Sequence, residues 1–546
     1  MNLVKPESIT TTGAITRSTI GTYFDSAGVM QTAAINSVRI NYNPYTKEFK
    51  GVLIENASTN RILYSEDLTA TLYNKYNASF TVEAAVAPDG TTTFDGVIAS
   101  ATNTEHLIEQ ELTSLTAASA YTYSLYVKKG AADKVQIRVY GGVNSTAYSG
   151  EFIGFTFNFL TKSITTILNT STGSIIECDF EQVSTDVYRI WIKGIPTITA
   201  NKALFRVTLL QNTTDATVFT GDGTTIQLYV WGWQVELGSL SSYIKTTSAI
   251  TTRAADIITG SGLVYTNLTN AYAEWSSATT YAIGTYVSYG ANGTYLSLQN
   301  GNLNQNPLTA TTYWVRTGPT NKMAVFDDQI SSVSTSTTDI IFAVTASSID
   351  TVALLNVNGS RTAVSVSDAS LKIPIYHNTQ QLTGGDSVDW YGYFFYDADT
   401  VRNTSIYLDI PTTSNVLITV KVSGVGTTSI GTFVTGVLKN LGNTQYGVSA
   451  GIIDYSRKDT DEFGNVTFIK RNYSKRINAS VSLTNSNLNK VQRILYQIRA
   501  TPVLWLASTD IQFEEPLITY GFYRDFSTEI SYPTHSICNI QVEGLI

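Results

Sequence analysis

Short runs in which apolar and polar side chains alternate with period two recur along this chain, and no other feature constrains its fold so tightly. Tyr121–Val127 (YTYSLYV), Val135–Tyr140 (VQIRVY), Tyr188–Lys193 (YRIWIK) and Val416–Val422 (VLITVKV) send successive side chains to opposite faces, as a half-buried strand requires. β-Branched and aromatic residues fill these runs, and both suit a pleated surface. Turn signals separate them: Pro88-Asp89-Gly90, Lys129-Gly130, Gly221-Asp222-Gly223, Asn292-Gly293 and Phe463-Gly464-Asn465. Runs of Ala, Leu, Glu and Lys at helical spacing are nearly absent. The chain therefore reads as all-β, and strands this short with turns this dense predict sandwiches or jelly rolls. Its 546 residues exceed the roughly 250–300 at which a single core stops growing, so a multidomain chain is expected.

One segment departs from this pattern. Asn485–Arg499 places Leu488, Val491, Ile494, Leu495 and Ile498 at spacings of three and four, which predicts a single amphipathic helix covering a sheet. Asn485 or Asn487 is placed to cap it, Lys490, Arg493 and Arg499 line its polar side, and Pro502 stops the chain from continuing as helix.

Charged residues make up only 14% of the chain against 43% hydrophobic, which excludes a disordered polypeptide. The net charge of −8, from 35 basic and 43 acidic residues, is spread without a long run of one sign, so no nucleic acid partner is expected. No window approaches the roughly 20 apolar residues of a membrane span, and Met1–Gly13 lacks the apolar centre of a signal peptide, so neither membrane insertion nor secretion is expected.

Cys178 and Cys538 lie too far apart in sequence to suggest a disulfide scaffold or thiolate zinc site and read as buried thiols. His106, His377 and His535 show no ligand spacing. Neither cofactor nor metal is assigned. Asp459, Asp461 and Glu462 are close in sequence without the spacing of an EF-hand loop and read as a solvated hairpin tip; Asp397-Ala-Asp399 is equally unspecific, and Arg524-Asp525 reads as a local ion pair. In Tyr229–Leu237, Trp231, Trp233 and Val235 are expected to share one face and Gly232, Gln234 and Glu236 the other. Such a strand is core material. Glu236 lacks the second carboxylate that glycoside hydrolysis needs, so no catalytic residue is assigned.

Composition shifts divide the chain at Thr246–Asn270, around Arg253-Ala254-Ala255-Asp256, and at Thr317-Gly318-Pro319-Thr320. Three modules are expected: 1–257, 265–318 and 320–546.

Within the first module, Thr22–Met30 (TYFDSAGVM), Gly51–Asp67 (GVLIENASTNRILYSED), Ala87–Thr92 (APDGTT), Tyr121–Gly130 (YTYSLYVKKG) and Tyr229–Asp256 occur in this order. Together they resemble the concanavalin-A-like, carbohydrate-binding-module-like jelly roll of tail fibre, tail spike and baseplate proteins of tailed bacteriophages. The second module sets Tyr272, Trp275, Tyr281, Tyr286-Val287, Tyr289, Asn292-Gly293, Tyr295, Asn306-Pro307 and Tyr313-Trp314 in a pattern similar to small three-stranded chitin-binding-type modules. That resemblance implies Trp275, Tyr289, Tyr295 and Trp314 as candidate glycan-stacking rings, alongside the plain alternative that so small a unit needs its aromatics to fold. An acidic residue common in that family after the first Gly of its Tyr-Xaa-Xaa-Gly step is replaced by Thr285. In the third module, Thr460–Arg471 (TDEFGNVTFIKR), the predicted helix, and Gly521–Ile546 look like a domain recurring at the C-terminus of phage tail and baseplate proteins.

The resemblances imply a non-enzymatic structural component of a virion, in the tail tip, baseplate or fibre network, assembled in the host cytoplasm. Its expected partners are other tail or baseplate proteins, further copies of itself and host cell-surface polysaccharide. The rival expectation is a tail-spike polysaccharide depolymerase. That activity calls for the regular repeats of a β-helix or a pair of carboxylates in a groove, and neither is visible in the sequence.

Overall fold

The computed structural model describes residues 1–143, 148, 150–383, 402–460, 462–508, 514–530 and 532–545. The aromatic block Asp389–Tyr396, the pair Asp397 and Asp399, and Asp461 lie outside them. The protein is all-β and multidomain, with two compact units: Ile15–Ile257, and a second that joins Met1–Ala14 to Ile258–Ile546. No helix among the described residues is long and apolar enough to cross a membrane.

The first unit is a sandwich of two six-stranded antiparallel sheets. One runs, edge to edge, Ser174–Gln182, Val187–Ile195, Tyr121–Lys129, Ile226–Leu237, Phe94–Ala99 and Ala78–Ala85. The other runs Ser163–Asn169, Phe152–Asn158, Lys134–Gly142, Lys202–Leu209, Leu107–Leu112 and Tyr73–Tyr76. The alternation read from sequence supplies the core: Tyr121, Tyr123, Leu125 and Val127 meet Ile137, Val139, Phe155 and Phe205 between the sheets. The opposite face of Tyr121–Lys129 is buried as well, since Thr122, Ser124 and Tyr126 are also inaccessible. Chain on either side of the sandwich covers that face. The Thr122 hydroxyl donates to the Gly238 carbonyl at 2.5 Å, and the Tyr126 ring packs against Tyr243.

Within Ile226–Leu237 the expected shared face of Trp231 and Trp233 is not formed. Gly232 has φ +63°, and the pairing with Tyr121–Lys129 shifts register between Ser124 and Tyr126. This bulge inserts one residue and reverses the alternation. Trp233 therefore points between the sheets, while Trp231 points outward into a cluster with Phe24, Met30, Tyr126 and Tyr243. Both indoles remain core.

The stretch Thr246–Ile257, expected as linker, is pinned. Thr251–Arg253 pairs with Ser58–Asn60, and Arg253 and Asp256 are 2% and 1% exposed. Asp256 accepts from Arg17 at 3.0 Å and Arg39 at 2.6 Å, and Arg39 also reaches Glu55 at 2.7 Å. The phrase STNRILYSED is explained by the same clamp: Asn60, fully buried, donates to the Trp233 and Ile244 carbonyls and accepts from the Ile62 and Val235 amides.

In the second unit, a five-stranded sheet (Gly262–Thr266, Ile340–Ile349, Thr413–Ser423, Arg361–Asp368, Ile373–Gln381) and a three-stranded one (Thr404–Tyr407, Thr351–Leu355, Thr432–Gly436) enclose a core with Phe342, Ile418, Val352 and Phe433. Because Gly262–Thr266 pairs with Ile340–Ile349, residues 262–266 belong to this sandwich rather than to the small module expected from 265. The N-terminal residues also depart from expectation. Asn2–Val4 lies antiparallel between Leu438–Asn440 and Val503–Leu506 in an eight-stranded sheet that continues through Ile518–Glu529, His535–Gly544 and Tyr473–Thr484. A three-residue strand buried on both faces has no alternation to announce it.

Along Val503–Leu506, Val503 and Trp505 face a helix, while Leu504 and Leu506 face the three-stranded sheet through Ala353, Leu355 and Val434. The helix is Leu488–Gln497, preceded by a 3₁₀ turn at Asn485–Asn487. Val491, Ile494, Leu495 and Ile498 are buried as predicted, each contributing on the order of 1.5–3 kcal/mol. The predicted asparagine cap is absent. Asn487 has a helical backbone and makes no capping bond, and Asn485 instead donates to the Tyr532 and Pro533 carbonyls, tying the helix entry to the last hairpin. Arg524 turns away from Asp525 at a bulge and lies 3.7 Å from Glu543.

Candidate functional site

The small aromatic module is built on Tyr286–Ser288, Thr294–Ser297 and Trp314–Gly318, with Thr280–Tyr281 paired to Asn302–Leu303 beside them. Trp314 is 2% and Tyr295 5% exposed; with Tyr281 and Val287 they form the module's core. The Trp314 indole N–H donates to the Gln305 carbonyl at 2.9 Å, and its ring meets Tyr281 edge-on. Buried on both sides, Trp314 and Tyr295 have no face left for a sugar, which corrects the expectation for these two. Trp275 and Tyr289 are half-buried and packed edge-to-face at 5.5 Å, and the Tyr289 hydroxyl accepts from Asn306.

The rings that face water are Tyr272 and Tyr286, exposed by 42% and 40% and stacked on each other with centroids 4.9 Å apart and planes 18° from parallel. Local structure dictates the pair. Residues 272–275 run parallel to Tyr286–Ser288: the Ser288 hydroxyl donates to the Tyr272 carbonyl, the Ser288 amide to Ala273, and the Trp275 amide to Ser288. With Val287 turned inward, period two turns Tyr286 outward, and the lacing brings Tyr272 over it. That alternation in Tyr286-Val287-Ser288 was the available sequence signal. Beside the pair, the Glu274 carboxylate accepts from the Gly290 amide.

A second aromatic and charged surface covers the outer face of the sheet containing Lys134–Gly142. Tyr140 and Phe152 lie 4.9 Å apart, Arg138 sits over Phe152, and Arg206 over Tyr140 at 4.6 Å. Arg206 is paired with Glu109 at 2.7 Å and Arg138 with Glu105 at 3.4 Å. Here the guanidiniums lie over the rings and are themselves paired with carboxylates, so rings and charges satisfy one another within the sheet.

Glu236 is fully buried and saturated. Ser58, Gln234, and both the amide and hydroxyl of Ser241 donate to it, all within 2.9 Å. A cleft of 180 Å³ nearby is lined by Glu55, Glu181, Arg189, Tyr126 and Tyr243. Burial raises the Glu181 carboxyl against the pull of Arg189. Burial alone would raise Glu55 too, but Arg39, Arg253 and the Ser242 hydrogen bonds hold it below the usual carboxylate range. With Ser242 and Arg39 on its oxygens, Glu55 anchors structure rather than offering a free base.

Cys178 is half-buried on the sandwich edge, its thiol pushed up to about 12 by burial and the flanking Glu177 and Asp179. Cys538 is buried and also raised by burial. His106 is enclosed, with both ring nitrogens against backbone carbonyls of Asn77 and Phe219. Among the described residues no three His, Cys, Asp or Glu side chains are grouped to hold a metal ion.

No protein-family model matches the chain, and no curated protein matches it. Among solved structures, it is similar to the enzymatically active domain of bacteriophage CBA120 tailspike protein 4, at 7% identity and TM-score 0.21, over 33% of this chain and 21% of that one. It is similar to the mannan-recognising carbohydrate-binding module TmCBM27, at 10% identity and TM-score 0.19, over 34% of this chain and 98% of that one. It is also similar to the tandem CBM22 domains of Paenibacillus barcinonensis Xyn10C, at 8% identity and TM-score 0.21, over 70% of this chain and 99% of that one. The chain thus spans about a fifth of the tailspike domain's length.

Proposed function

We propose that this protein is a non-catalytic component of a bacteriophage tail, in the tip, baseplate or fibre network, that holds neighbouring virion proteins and contacts host-surface glycan. The observation that carries the glycan reading is the Tyr272–Tyr286 pair. The module buries Trp314, Tyr295 and Tyr281 to fold, yet leaves two stacked rings in water where they add little to its core. Rings so placed offer flat apolar faces to the C–H side of a pyranose. The virion assignment rests on the ordered phrases within residues 1–257 and on the C-terminal pattern described above. Each glycan contact would be weak, and many copies on one particle would multiply it, since linked sites raise avidity without new contacts.

Affinity electrophoresis of the full chain through gels containing chitin derivatives or bacterial surface polysaccharides tests this reading. Retardation that Tyr272→Ala with Tyr286→Ala abolishes is the expected result. Unretarded migration in every polysaccharide would refute the glycan role.

A further inference from the structure

In the sheet that begins Ser174–Gln182, Val187–Ile195, Tyr121–Lys129 and Ile226–Leu237, a row of side chains crosses the outer face. Glu181 pairs in register with Arg189, Arg189 with Tyr126, and Tyr126 with Trp231. Neighbouring strands lie about 4.8 Å apart, so the row sets an acid, a guanidinium and two rings side by side. Chain from residues 22–55 and 240–243 closes over the first three and leaves the cleft of 180 Å³, whose apolar side is Phe24, Met30 and Leu53. Several polar groups at its wall are satisfied: Glu55 is held by Arg39 and Ser242, and the Tyr243 hydroxyl lies between Ser65 and Glu66. Two are not. Arg189, 5% exposed, uses its terminal nitrogens on the Ser241 carbonyl and the Ser124 hydroxyl, while its Nε is buried with no hydrogen-bond partner. Glu181 is half-buried and meets Arg189 and Lys50 through their charge, with no hydrogen bond among the described residues. A buried donor left unmet is costly, most of all on a charged group.

The chemistry of these two groups selects the occupant. One donates, the other accepts, and they stand a strand apart, so the ligand must offer adjacent groups that both accept and donate, as hydroxyls do. An anion would be repelled by Glu181 and Glu55, and a cation by Arg189. The volume is below the roughly 300 Å³ at which pockets for drug-sized ligands begin, which leaves room for one ring and none for a chain. We propose that this cleft binds one uncharged pyranose, the terminal residue of a glycan, with a vicinal pair of hydroxyls bridging Arg189 Nε and the Glu181 carboxylate. The C–H side of the ring then lies against Phe24 and Met30. This site belongs to a different compact unit from the Tyr272–Tyr286 pair, and neither depends on the other.

Isothermal titration calorimetry of the full chain tests the proposal. The probes are methyl pyranosides of glucose, galactose, mannose, rhamnose and N-acetylglucosamine, the methyl group standing for the rest of the chain, with glucuronate and glycine betaine as charged counterparts. At least one neutral glycoside should bind at one site per chain with a Kd of roughly millimolar order, and neither charged probe should bind. Glu181→Gln should weaken that binding roughly tenfold, as loss of a charged acceptor does, with unchanged thermal transitions because no hydrogen bond is broken. Leu240→Trp, at a half-buried position on the wall, should fill the cleft and abolish binding, whereas Tyr272→Ala with Tyr286→Ala should leave it intact. Silence with every neutral glycoside, or binding of glucuronate or betaine instead, would overturn the proposal. So would neutral binding that survives either cleft variant undiminished, or that disappears in the tyrosine double variant.

Discussion

Replacing Asp256 by alanine should destabilise the sandwich of residues 15–257 more than any surface change, because of what the carboxylate leaves behind. One oxygen accepts from Arg17 at 3.0 Å; the other accepts from Arg39 at 2.6 Å and from the Glu55 amide at 2.8 Å. Arg39 would retain Glu55. Arg17, whose side chain is 1% exposed, would keep only carbonyl partners at Thr19, Ala33 and Ala34 and become a buried cation without a counter-charge. Removing one partner of a buried ion pair costs about 3–5 kcal/mol, a large part of the roughly 5–15 kcal/mol that holds a domain together. At about 2–4 °C per kcal/mol for a unit of this size, its transition should fall by roughly 6–20 °C. Scanning calorimetry of the full chain resolves this if the second unit's transition stays in place. Trypsin should also gain access to Arg253, since the network that pins Thr246–Ile257 is broken. A loss below about 1 kcal/mol, or an unchanged cleavage pattern, would refute the claim that these charges fasten the segment.

Other consequences follow from the same structure. Because Glu55 is held below the usual carboxylate range, its contribution should be complete at neutral pH, above the unfolded value near 4.3, and should fade as pH falls through its folded value; urea titrations at pH 7 and pH 4 should show this, and Glu55→Gln should flatten the difference. Gly232→Ala should cost more than about 1 kcal/mol in denaturant unfolding, since an added Cβ at φ +63° would lie 2.8 Å from the Tyr126 ring. Trp314→Ala should unfold the small module at a cost of about 3–5 kcal/mol, visible as lost near-UV dichroism, whereas Tyr272→Ala should leave that signal nearly unchanged.

The strands were readable where one face meets the core. Tyr121–Val127 and Val135–Tyr140 alternate because Tyr123, Leu125, Ile137 and Val139 must point between two sheets. The helix at Leu488–Gln497 was readable for the same reason, since its stripe repeats at helical spacing. Features set by distant partners were not. Nothing local distinguishes Gly232 as a bulge from Gly232 as an ordinary strand residue, yet that one φ sends Trp231 and Trp233 to opposite faces. Arg253 and Asp256 look like the polar punctuation of a linker until Arg17, Arg39 and Glu55, some two hundred residues earlier, are brought against them. In the small module, the tryptophans dominate by size, and size favours burial. The rings left in water were Tyr286, on the outward side of a three-residue strand, and Tyr272, carried by the neighbouring segment laced to it.

The full chain is expected to hold host polysaccharide through Tyr272 and Tyr286 without cutting it. Incubating wild type and the Tyr272→Ala/Tyr286→Ala variant with polysaccharide from the adsorbing host, then measuring retention and polymer length together, decides this. Retention by wild type, its loss in the variant with thermal transitions intact, and undiminished chain length are predicted; retention that survives the double substitution, or steady shortening of the polymer, would contradict it.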